Sequence, residues 1–116
     1  MFNIQILEKS ITLSELKKIA SEGFGEIIKA VVDVEKSTMA IGGELHVDME
    51  GLLVSEKGSL NKDAWGINLY PDKVGEEFVE FDSMVNLKPA YGNRTRNVEN
   101  LEIQEKIKKI VKKFIL

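Results

Sequence analysis

The chain has 116 residues, 43% of them apolar and 30% charged, the composition of one folded domain with a single core rather than a disordered chain. Its 16 Lys+Arg stand against 19 Asp+Glu for a net charge of −3, so no overall positive field recruits nucleic acid or an acidic membrane surface. Cysteine is absent, which excludes disulfides, thiolate chemistry and Cys-ligated metal sites.

The first residues lack a basic stretch followed by an apolar one, and no apolar run approaches the ~18 residues of a membrane span; a cytoplasmic location is expected. Residues 2–6 alternate apolar and polar as a short strand does, with Leu7 extending the apolar end. Thr12 and Glu15 then have the spacing of a reciprocal helix N-cap, and Ile11 is placed to staple against Leu16. Leu13, Leu16, Ile19 and Ala20 carry a helical stripe as far as Gly23-Phe24-Gly25, which ends it.

Residues 26–35 fit two periods. Ile27, Ile28, Val31 and Val34 would line a helix, but the β-branched content and the alternation favour a strand over 28–35. A turn at Lys36-Ser37 folds it onto a second strand over 38–47, with Met39, Ile41, Leu45 and Val47 on one face and Ala40, Gly42, Glu44, His46 and Asp48 on the other. Residues 48–57 read as a helix capped by Asp48 and closed by Gly58. Residues 65–70 alternate up to Pro71, and 78–88 alternate with Val79, Phe81, Val85 and Leu87 on one face, which suggests a second hairpin. Asn100 caps a last helix whose stripe is Ile103, Ile107, Ile110, Val111 and Phe114, with lysines on the remaining surface. The order β-α-β-β-α-β-β-α over 1–116 is a single α+β domain: a mainly antiparallel sheet of four to five strands, helices on its apolar face, the other face polar.

Several familiar sites are refused. The Gly23-Phe24-Gly25 start of a dinucleotide turn fails at Ile28, no Gly-Lys-Ser/Thr step exists, and with His46 as the one histidine a His-rich zinc site is excluded. What remains is GGELHVD. As a strand it places Glu44, His46 and Asp48 on one face at steps of about 7 Å, a set able to hold a divalent metal or share a proton. Asp82 joins them if residues 80–88 line the same face, together with Asn68, Tyr70, Asn86 and Lys88. The competing view is a solvated sheet face with His46 bonded to a neighbouring acid.

After Pro89 the loop carrying Asn93, Arg94 and Arg96 offers a clamp for a phosphate or carboxylate. Charge is divided along the chain: residues 88–116 carry eight Lys+Arg and three Asp+Glu, net +5, and residues 1–87 carry eight against sixteen, net −8. Three readings stay open. One is a binding module using the polar face and the arginine loop for a small ligand, anion or protein. Another is a metal-dependent hydrolase or nuclease in which Glu44, His46, Asp48 and Asp82 act while Arg94 and Arg96 hold a phosphate. The last is an obligate homo-oligomer with no chemistry of its own.

The strings GGELHVD, WGINLYP, EFDSMVNLKP and GNRTR, followed by an amphipathic C-terminal helix, resemble a family of small prokaryotic proteins catalogued only as a domain of unknown function. The resemblance spans nearly the whole chain. It implies a compact cytoplasmic domain and assigns no catalytic role to any residue.

Overall fold

A computed structural model describes residues 2–116. Five strands, β1 (Gln5–Ile6), β2 (Ile28–Asp33), β3 (Thr38–Ile41), β4 (Ala64–Leu69) and β5 (Val79–Glu80), form one sheet in the order β1-β3-β2-β4-β5 with every neighbouring pair antiparallel. Three helices accompany them: α1 (Leu13–Glu22), α2 (His46–Lys57) and α3 (Leu101–Phe114). The protein is therefore α+β, and no described helix is long and apolar enough to cross a membrane.

Local signals set most of the element ends. Thr12 and Glu15 form the expected capping box, the Glu15 N–H donating to Thr12 Oγ1 at 3.0 Å. Asn100 Oδ1 accepts from the Glu102 and Ile103 N–H groups at 2.8 and 3.2 Å and starts α3. Residues 28–33 are a strand, as their β-branched content predicts. Asp33 then closes the turn into β3: its Oδ1 accepts the Glu35 and Lys36 N–H groups, both at 2.9 Å, and Ser59 Oγ donates to its other oxygen.

The sheet is covered on both sides. Ile28, Ala30, Val32, Met39, Ile41, Trp65, Ile67 and Leu69 face α1 and α3, where Leu16, Ala20, Ile107, Ile110, Val111 and Phe114 complete the main core. Val31, Ala40 and Ala64 face the opposite way and are covered by Met49 and Leu53 of α2. The expected wet second face is thus half hidden by α2, which small strand residues let approach closely.

Two predicted strands are cut short. The strand placed over 38–47 ends at Ile41, because Gly42 turns the chain at φ +90° and a Cβ there would run into the Asn3 carbonyl. Residues 46–48 consequently open α2; its N-cap is Leu45, with no side-chain cap, not Asp48. The strand placed over 78–88 pairs with β4 only at Val79–Glu80, after which Ser83 drops against Gly66 and a 3-10 turn follows at Met84–Asn86. Gly66 must be glycine here, since a Cβ would overlap the Ser83 side chain.

The last residues return to the first helix. Ile11 N–H donates to Phe114 O at 2.7 Å, Leu116 N–H to Ile11 O at 2.9 Å and Leu13 N–H to Leu116 O at 3.0 Å, a short parallel bridge tying α3 to the start of α1.

Candidate functional site

Of the four predicted catalytic residues the structure brings two together. His46, in the first turn of α2, leans on β4 and its Nε2 lies 2.9 Å from the Ile67 carbonyl oxygen. A carbonyl only accepts, so Nε2 carries the proton and Nδ1 is the basic nitrogen. Burial lowers the His46 pKa from its ordinary value and Lys29 adds to this; the Ile67 carbonyl, Asn68 and Asp82 oppose it, so the imidazole stays neutral at neutral pH. Asn68, 5% exposed, donates to Glu80 Oε1 at 2.8 Å and to the Asp82 carbonyl at 3.2 Å. Its own Oδ1 is buried beside His46 without a hydrogen-bond partner of full geometry. Tyr70 Oη donates to the same Glu80 oxygen at 3.0 Å, and Arg96 Nε bonds Asp82 Oδ1 at 2.7 Å. Glu44 and Asp48 are exposed and do not share a strand face with His46, because the strand that would align them ends at residue 41. Among the described residues no group of three or more His, Cys, Asp or Glu side chains is placed to hold a metal ion.

The predicted anion-binding residues mostly serve the chain itself. Asn86, fully buried, accepts the Gly66 N–H through Oδ1 at 2.8 Å and donates through Nδ2 to Gly66 O and Arg96 O, each at 2.9 Å. Asn93 Nδ2 reaches the carbonyls of Asn86, Thr95 and Asn97 at 2.7, 3.1 and 2.7 Å, while its Oδ1 accepts the Glu99 N–H at 2.9 Å. Lys88, 3% exposed, donates to Val85 O at 2.9 Å and stands 5.1 Å over the Trp65 ring; burial lowers its pKa, opposed by Glu50 and Asp63. The GNRTR loop does clamp a carboxylate, but an internal one. Glu99 Oε2 accepts the Arg94 N–H, the Thr95 N–H and the Thr95 hydroxyl at 2.7, 2.9 and 3.0 Å, and these bonds, led by that from Arg94, hold its pKa below the usual value.

A well-formed hollow lies elsewhere, on the α3 side. A groove of about 620 Å³ runs between α3, the segment 73–79 and the latch of residues 13 and 115–116. Leu13, Val74, Phe78, Val79, Val111 and Ile115 supply its apolar lining; Lys73, Lys108, Lys109 and Lys112 stand against Glu76 and Glu105 at its rim. The second cavity, at Gly42 and Phe24, holds only about 10 Å³.

A model described as Protein of unknown function (DUF5674) matches residues 5–114. The chain belongs to this family. No curated protein and no solved structure matches it at a significant level. In this DUF5674 member the four strings that carry the resemblance fall on the entry to α2, on β4 and on the loops packed against β4, next to the buried asparagines. The groove residues escaped sequence reasoning because they come from three separated segments; the one local hint is Val74, an apolar residue in a polar stretch, which is 84% exposed.

Proposed function

We propose that this DUF5674 protein is a binding module whose ligand occupies the groove beside α3. The observation that carries the reading is the groove itself: its volume falls within the roughly 300–1,000 Å³ of small-molecule sites, and its walls are apolar with a few charged groups at the mouth. Asn86, Lys88 and Asn93, first singled out as ligand-binding, are engaged by backbone groups, and Asn68, Tyr70 and Arg96 by neighbouring carboxylates, which favours a separate place for the ligand. The test is a titration of the protein with the neutral fluorophore N-phenyl-1-naphthylamine, followed by methyl NMR. Shifts gathered at Val74, Val79, Val111 and Ile115 support the reading. Saturable binding that perturbs other methyls instead overturns it, as does failure of both this probe and the decyl ligands described below to bind.

A second reading rests on Asn68. A buried amide oxygen without a full partner, beside a neutral imidazole and near Asp82, suits a general base with a polar anchor for its substrate. In this version His46 and Asp82 act, and Glu44 and Asp48 play no part. Turnover of p-nitrophenyl acetate or bis(p-nitrophenyl) phosphate that disappears in His46→Gln would support it; turnover unchanged in that variant, or none in the parent, removes it.

A further inference from the structure

The charges around the groove are unevenly matched. Both rim acids turn to one lysine: Lys108 Nζ lies 3.2 Å from Glu76 Oε2 and 3.7 Å from Glu105 Oε1. Lys73 rests over the Tyr70 ring at 4.4 Å, a contact that leaves its charge without an acid. Lys109 and Lys112 line the groove one helical turn apart and have no acidic partner among the described residues. Lys113, by contrast, donates to Ser37 O and Oγ and does not line it. An apolar trough thus carries uncompensated positive charge along one wall, within a chain of net charge −3.

Resting on the groove reading, we propose that the ligand is a monomeric amphipathic anion: an alkyl or aryl body lying on Leu13, Val74, Val79, Val111 and Ile115, with a carboxylate or equivalent single anionic head held by Lys109 and Lys112. The floor and the charges divide the work. The apolar body supplies most of the affinity, at about 0.8 kcal/mol per buried methylene, so each added pair of methylenes tightens binding about tenfold while the tail still fits. The lysines choose the head, since a cation brought to the same wall meets like charge and an alcohol gains nothing from it.

The experiment compares decanoate, decanol and decyltrimethylammonium, each kept monomeric, against the full chain and against the K109Q/K112Q variant, with the groove methyls as reporters. Both substitutions fall on exposed helix positions, so the fold is retained. The expected result is decanoate binding at least tenfold tighter than the other two, and that preference lost in the variant while decanol is unaffected. Octanoate should bind about tenfold more weakly than decanoate. Equal binding of all three heads overturns the anion proposal but leaves the groove as a ligand site. Failure of all three together with N-phenyl-1-naphthylamine overturns both. Binding only to phosphatidylglycerol vesicles, with none to monomeric decanoate, also overturns the proposal and makes the groove a membrane contact.

Discussion

Residues 82–99 and the groove beside α3 are both polar stretches on the outside of an apolar core, yet their polar groups are used in opposite ways. In the first, two asparagines and a lysine are buried against backbone atoms, and Glu99 gathers three donors of its own loop. In the second, four lysines stand around an apolar lining and three of them have no acidic partner among the described residues. Buried polar groups that are fully matched fix a shape; charges left unmatched beside an apolar hollow are available to something else. The density of chemically capable residues is therefore a poor guide to the site in this protein.

Asn93→Asp should break the first region most severely. A carboxylate in that position faces three carbonyl oxygens and can donate to none, at a cost of about 3 kcal/mol or more, readable as a lower denaturant midpoint. Gly66→Ala comes next, about 2 to 3 kcal/mol, because the new methyl must displace Ser83 from the strand; a loss below about 0.5 kcal/mol would show that the 82–88 segment moves freely.

His46 sharpens the comparison through pH. Its pKa is lower in the folded protein than the ~6.5 of a free side chain, so the unfolded chain takes up a proton that the folded one refuses. Its contribution is fully present above about pH 6.5 and is lost as the pH falls through the lower folded value. Stability of the parent should fall faster than that of His46→Gln below pH 6.5, and parallel pH curves would place the imidazole in open solvent. The smallest effect belongs to the groove: Lys109→Gln and Lys112→Gln should change stability by no more than about 0.5 kcal/mol each, since neither charge holds the fold together.

What could be read in the sequence was what neighbours in the chain decide. The Thr12–Glu15 box, the Asn100 cap, the β-branched run of β2 and the stripe of α3 all involve residues a few positions apart, and all appear in the structure. The misreadings have distant causes. GGELHVD alternates like a strand, but the Asn3 carbonyl occupies the space beside Gly42 and the chain turns into α2. Residues 81–88 also alternate, because Ser83, Asn86 and Lys88 turn inward in a segment that packs against β4 without pairing to it. The structure places His46 beside Asn68, whose carboxamide bonds the Asp82 carbonyl, by way of a helix start rather than a shared strand face. The groove left only Val74 as a hint in the sequence, since no single segment builds it.

The carboxamide of Asn86 has a further consequence. β5 pairs with β4 only at Asn68 and Leu69, so the Gly66 N–H and C=O would otherwise point from a strand edge with nothing to bond. One side chain presents to them the acceptor and donor that another strand's backbone would offer, and so stands in for a missing peptide unit. An open edge of this kind is where a second polypeptide adds its own strand and aggregation begins. In this protein the Asn86 carboxamide occupies that edge at Gly66, where an added strand would have to bond.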